Sequence, residues 1–268
     1  EVSPQKLLKL LNKTKISISN DETRHYLNGI YLHKTKLENK SFLCGVATDS
    51  HRLSSSSLEI DPKINIEPII LPKKTIFQLI FLLEQSSSTI KISNNKSKIK
   101  FEINASVLIS KVIDGRFPDY SKVIPKNNDK ILQIKLDEFR NSIERVATVS
   151  SDRTKGLKMT ISKDGVQLSV NNPNSGEGIE NINAKFNSND LNISFNSRYL
   201  TDIASQIENE FIVINLKDAN SPVLINDFSD KNSFYVVMPM KIWFILQKDD
   251  IRLLLFFSLS NHLIPMKI

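Results

Sequence analysis

One order of apolar and polar runs occurs twice along this chain. From residue 3, "SPQKLLKLLNKTKISIS" places Leu7, Leu8, Leu10 and Leu11 at helical spacing behind a Ser-Pro start; strand-like segments, a second helix and three more strands follow. From residue 135, "KLDEFRNSIERVATVSSDRTKGLKMTIS" opens the same order again. "SSDRTK" at 150–155 matches "SNDETR" at 19–24, and "FNSRYLTDIASQIE" at 195–208 aligns with "LPKKTIFQLIFLLE" at 71–84. A period of about 125 residues is a duplicated domain, because solenoid repeats run to only about 20–50 residues. The chain is thereby restricted to two tandem copies of one α+β unit, each with two helices and about eight strands, hinged near "VIPKNNDK" at 123–130.

Within the first copy, "HYLNGIYLHKTK" and "SFLCGVATD" read as strands, "KKTIFQLIFLLEQ" behind Pro72 as a helix, and "TIKISNN", "SKIKFEIN" and "SVLISKVID" as alternating strands. The first helix carries Lys6, Lys9 and Lys13 and is expected to have a basic outer side. The expected domains are 1–125 and 126–242, with an atypical tail at 243–268. In that tail the apolar run Leu253–Leu259 is interrupted by Ser258 and falls far short of the roughly 20 residues that span a bilayer. An added helix and a simple extension both remain open for it, and no membrane partner is expected.

With 36 Lys and Arg against 29 Asp and Glu, the net charge of +7 favours a polyanionic partner, nucleic acid first. Cys44 is the single cysteine, which excludes an intrachain disulfide and a thiol-based metal cluster and fits a reducing, cytoplasmic compartment. Its neighbours Phe42, Leu43 and Val46 mark it as a core residue.

Catalysis finds no carriers. Asp49, Ser50 and His51 are adjacent in one turn, where successive side chains point in different directions, so they do not make a nucleophile, base and acid. His25, His33, His51 and His262 lack metal-ligand spacing, and there is no phosphate-cradling G-x-x-x-x-G-K motif. The expectation is a non-enzyme without metal or cofactor.

Three stretches in order, "ATDSHRLS" at 47–54, "VIDGRFPDYSKVIP" at 112–125 and "FYVVMPMKI" at 234–242, resemble the signature segments of the bacterial DNA polymerase III sliding clamp, the beta subunit; "RHYLNG" at 24–29 and "NNP" at 171–173 are similar to further ones. The resemblance covers residues 1–242 and implies two tandem DNA-clamp domains, the middle and last of that family's three, with the first absent. It further implies a processivity factor that encircles duplex DNA without reading sequence, in a homodimeric ring of which this chain lacks half of each joint. The implied partners are the DNA polymerase III catalytic subunit and the clamp loader. Alternatives are a truncated clamp acting only as a peptide-binding adaptor, or a non-functional relic.

Carried over motif by motif, the resemblance implies a groove for a Gln-Leu-x-Leu-Phe type peptide. Its residues are Leu27, Thr48, Ser50, His51, Arg52 and Leu53, then Pro118, Lys122, Val123 and Pro222, and finally Val236, Val237, Met238, Pro239, Met240, Lys241 and Ile242. His51 and Arg52 would form its polar rim; Ser50 stands where the family usually has Gly. The DNA-facing residues implied are Lys9, Lys13, Arg24, His25, Tyr26, Lys73, Lys74, Arg145, Arg153 and Arg198.

Overall fold

Helix α1 (Pro4–Lys15) starts with proline in its first turn, where the missing amide hydrogen costs nothing, and buries a stripe of Leu7, Leu10 and Leu11. This computed structural model describes residues 2–64, 66–150 and 155–241, so the expected tail at 243–268 lies outside the described residues. A 3-10 turn (Glu22–Leu27) leads into β1 (Gly29–Leu37), β2 (Lys40–Thr48) and β3 (Arg52–Ile60), followed by β4 (Ile69–Pro72), helix α2 (Lys73–Glu84) and the meander β5 (Lys91–Asn94), β6 (Lys98–Ile103) and β7 (Ser106–Lys111). A second 3-10 turn (Tyr120–Val123) passes the chain to the other half. There β8 (Lys130–Lys135), α3 (Leu136–Ala147), β9 (Gly156–Ser162), β10 (Gly165–Asn172), β11 (Gly176–Ile182), β12 (Ala184–Phe186) and β13 (Leu191–Asn196) precede α4 (Ser197–Ala204), β14 (Phe211–Leu216), β15 (Val223–Asp227) and β16 (Asp230–Val237).

The duplicated order is therefore present as α+β architecture, with two helices per half and, among the described residues, seven strands in the first half and nine in the second. Helix α4 is shorter than its sequence alignment with α2 suggests. It ends at Ala204, Ile207 turns back into the core, and the Glu208 amide donates to the Asp227 carboxylate at 2.8 Å, drawing the chain out of the helix.

All pairings within the sheets are antiparallel, and the two halves share one sheet of nine strands in the order β12-β8-β14-β15-β16-β3-β2-β1-β4. The joint is β16 against β3, in a register that sets Val236 opposite Leu53 and Val237 opposite Arg52. Helix α1 packs on α2 over one core that includes Leu7, Ile76, Leu79 and Phe101; α3 packs on α4 over another that includes Phe139, Ile143, Met159 and Phe195. A third, smaller core lies at the joint and draws Leu27, Cys44, Val46, Leu53, Ile70 and Phe117 from the first half and Val236 from the second. Among the described residues, no helix is long and apolar enough to cross a membrane.

Candidate functional site

Above the third core the hairpin between β2 and β3 folds over on itself. The Asp49 carboxylate accepts the amides of His51 and Arg52, both at 2.9 Å, and the Thr48 hydroxyl donates to the Arg52 carbonyl at 2.7 Å. Ser50, at the tip, has φ of +77°, a left-handed conformation that a glycine adopts without penalty. Its hydroxyl accepts from the Arg24 guanidinium at 2.6 Å, and Arg24 also donates to Asp21 at 2.8 Å. The Met238 amide donates to the His51 carbonyl at 2.8 Å, binding the end of the second half to the turn of the first.

The groove so formed has a volume of about 220 Å³ and is lined by Thr48, Ser50, His51, Arg52, Leu53, Pro118, Asp119, Tyr120, Val123, Val236 and Met238. That is smaller than the roughly 300–1,000 Å³ of pockets that enclose a whole small molecule, and suits individual side chains of a longer ligand. Leu53 and Val236 form a buried floor, whereas Val123 and Met238 are exposed on the walls. Three distant sequence segments thus converge at the joint of the two halves.

Several expected groove residues lie elsewhere. Successive strand residues face opposite sides of a sheet, so Val236 enters the floor while Val237 points into the core of the second half. Leu27 is buried in the third core beneath the floor. Lys122 is 80% exposed and pairs with Asp119 at 3.5 Å. Pro222 does not line the groove; its carbonyl accepts from the Asn128 amide at 3.0 Å. Pro239, Met240 and Lys241 continue past it, the Met240 amide donating to the Ser194 carbonyl at 2.7 Å, and Ile242 lies outside the described residues.

Arg52 is less a rim residue than a tie between the halves. Its guanidinium donates to Asp49 at 3.1 Å and to Asp202 of α4 at 2.6 Å, and its carbon lies 4.3 Å from the centre of the Tyr199 ring. His51 stays exposed. Sequence reasoning missed Asp119 and Tyr120, although both stand inside the "FPDYSKV" run between two residues that were chosen. The Ser121 hydroxyl and amide hold the exposed Asp119 carboxyl below the usual carboxylate range, so the rim carries a negative charge there. Burial pushes the Cys44 thiol up, as expected of a packing residue.

The expected DNA-facing set divides. Lys74 and Arg198 are exposed on α2 and α4. Lys73 donates to the Asn20 side chain at 2.5 Å, and Arg145 is held by both oxygens of Glu180 at 2.7 and 3.0 Å. Arg24, His25 and Tyr26 sit on the first 3-10 turn, where His25 donates to the Asp114 carbonyl at 3.1 Å; Gly115, at φ of +140°, passes so close that an added Cβ would lie 3.1 Å from Tyr26. The basic outer side expected of α1 is corrected in part: Lys6 is exposed, but Lys9 and Lys13 face Glu208, Asp227 and Asp230 of the second half, and Lys13 is buried. Arg153 lies outside the described residues.

Two family models match, "DNA polymerase III beta subunit, central domain" over residues 1–119 and "DNA polymerase III beta subunit, C-terminal domain" over residues 121–241. The beta sliding clamp of Caulobacter vibrioides is 36% identical over 242 residues, which is 90% of this chain and 65% of that protein. The beta sliding clamp of Escherichia coli K12 is 31% identical over 240 residues, 89% of this chain and 64% of its own length. Among solved structures, the sliding clamp of Bartonella birtlesii bound to griselimycin superposes with a TM-score of 0.87 at 39% identity, covering 90% of this chain and 65% of that one. That of Caulobacter crescentus gives 0.86 at 36% identity over the same shares. The chain thus spans just under two thirds of the length of these relatives, and it belongs to the DNA polymerase III beta subunit family through that family's central and C-terminal domains.

Proposed function

We propose that this chain provides the central and C-terminal parts of a bacterial replicative sliding clamp, a processivity factor without catalytic residues of its own. Its groove takes a linear Gln-Leu-x-Leu-Phe type segment from the polymerase catalytic subunit and the clamp loader, and its helices face duplex DNA inside a ring. The observation that carries this reading is the meeting of residues 48–53, 118–123 and 236–238 in one apolar-floored groove at the joint of the halves. Burying a partner's Leu and Phe contributes about 1.5–3 kcal/mol each, from which ordering and association costs are subtracted. What remains is weak, exchangeable binding, as a platform serving several partners in turn requires. Met238 at the wall is an adaptable contact for such use.

A labelled Gln-Leu-x-Leu-Phe peptide titrated onto the chain and followed by fluorescence anisotropy tests the reading. Saturable binding that Met238→Ala and Val123→Asp both weaken supports it; a folded chain that does not bind the peptide sinks it. A second reading, a peptide-binding adaptor that does not hold DNA, is favoured by one observation: Lys9, Lys13 and Arg145 spend their charges on carboxylates of this same chain. Retention of circular duplex DNA at low salt, absent in the adaptor, separates the two.

A further inference from the structure

The groove wall that carries Tyr120 is backed by an aromatic column. The Tyr120 hydroxyl lies 2.9 Å from Nε2 of His33, a β1 residue outside the groove. The His33 ring stacks on Tyr31 at 4.8 Å, and Tyr31 stacks on Phe117 at 4.9 Å, nearly parallel at 6°. Nδ1 of His33 is 3.4 Å from the Lys34 carbonyl, which only accepts; in the tautomer that uses this contact, Nδ1 carries the ring proton and Nε2 receives the Tyr120 O–H. Burial lowers the pKa of His33 and raises that of Tyr120, the nearby Cys44 thiol adding to the latter, so both groups are held neutral. In that tautomer the phenolic proton points away from the groove. A ligand meets the ring, and finds no donor there.

We propose that His33 is a positioning residue of the groove: by accepting the Tyr120 hydroxyl proton it fixes that ring as an apolar wall, which selects an aromatic or aliphatic ligand side chain over a polar one. This rests on the groove being the peptide site. The column explains why a histidine is tolerated at a half-buried strand position with no metal group among the described residues. Without His33 the hydroxyl keeps only the Cys44 thiol, a weak acceptor, so the ring is held less firmly and the hydroxyl is free to answer a polar ligand in the groove.

The test uses two labelled peptides, Gln-Leu-x-Leu-Phe and the same sequence ending in Ser, against the chain and its His33→Leu, His33→Gln, Tyr120→Phe and His33→Leu/Tyr120→Phe variants. His33→Leu is expected to lower the preference for Phe over Ser by about fivefold, the scale of one neutral hydrogen bond. His33→Gln, whose amide oxygen still accepts, is expected to restore most of it. In the Tyr120→Phe background His33→Leu is expected to change nothing further. Equal loss from His33→Leu with and without the hydroxyl, or no loss at all, overturns the proposal. Wild-type chain that binds neither peptide brings down the groove reading itself, and is seen before any variant is made. Nitrogen chemical shifts of His33 in the free chain give a check that needs no ligand: an unprotonated Nε2 with a protonated Nδ1 is expected, and the opposite tautomer overturns the proposal.

Discussion

The Lys13 ammonium lies 3.0 Å from the Asp230 carboxylate across the junction of the two halves, and only 2% of the lysine side chain is exposed. Asp227 at 3.6 Å and Glu208 at 3.5 Å complete its surroundings, while Lys9 reaches Glu208 at 2.9 Å and Asp230 at 3.2 Å. Two cations of α1 therefore face three carboxylates of the other half. An ammonium taken out of water is tolerated only with such partners, so the cluster holds α1 against the β15–β16 hairpin in one position.

Replacing Lys13 by Met keeps the volume and removes the charge. Asp230 then keeps Lys9, while Asp227 is left with neutral donors, Ser229 and the Glu208 amide, and the chain is expected to lose about 3–5 kcal/mol of stability, the usual cost of breaking a buried pair from one side. Urea unfolding measures it. Adding Asp227→Asn and Asp230→Asn to Lys13→Met should recover much of the loss, because the uncompensated charges go too. A Lys13→Met midpoint equal to that of the parent would show that the cluster contributes nothing.

The same carboxylates set the response to acid. Burial opposes ionisation of Asp227 and of Asp230, but hydrogen bonds from Ser229 and the Glu208 amide to the first, and Lys13 beside the second, outweigh it and leave both below the ordinary carboxylate range. Their contribution is complete above the unfolded pKa of about 3.9 and is lost as pH falls through the lower folded values. Stability should therefore be flat from neutral pH to about pH 5 in respect of these groups and fall below that. Denaturation midpoints across that range read it directly, and the triple variant should show a shallower fall.

Repetition and period made the architecture legible: Leu7, Leu10 and Leu11 marked a helix, and alternating "KIKFEI" marked a strand with Ile99, Phe101 and Ile103 inward. The same logic failed where partners are distant in sequence. Lys9 and Lys13 look like any solvated helix face until the hairpin at 227–230 is brought against them. Val237 was placed with Val236 because neighbours in a motif were treated as neighbours in space, against the alternation of a strand. Arg52 looked like a rim cation, and nothing local announces Asp202, 150 positions away. His33 carried no signal, since its partner Tyr120 is 87 positions further on.

Ser50 combines a strained backbone with a useful side chain. Its φ of +77° costs a non-glycine residue about 1 kcal/mol, while its hydroxyl accepts from Arg24 at 2.6 Å, a bond worth roughly as much. Ser50→Gly relieves the first and forfeits the second, so its thermal midpoint should stay close to that of the parent. Ser50→Ala forfeits the bond and keeps the strain, and is expected to be less stable than Ser50→Gly by about 1 kcal/mol. If alanine proved the more stable of the two, the left-handed turn at this position would be wrong.

Arg52 makes three demands that a lysine cannot meet together: a fork to Asp49 and Asp202 on different halves, and a flat cation over Tyr199. Arg52→Lys keeps the charge but provides a compact ammonium that satisfies one carboxylate at a time and does not stack. The expected loss is about 1–2 kcal/mol of stability, drawn from the face contact and one charge-assisted bond. The consequence for the groove is larger than its own contact with a ligand would suggest. Asp49 organises the amides of His51 and Arg52, and His51 in turn receives the Met238 amide, so loosening Asp49 loosens both walls together. Peptide affinity should accordingly fall in Arg52→Lys at temperatures where the chain remains fully folded, and Asp202→Asn, which removes only the charge from the bond to α4, should produce a smaller drop. An Arg52→Lys chain with lowered stability and unchanged affinity would mean that the joint and the groove are independent.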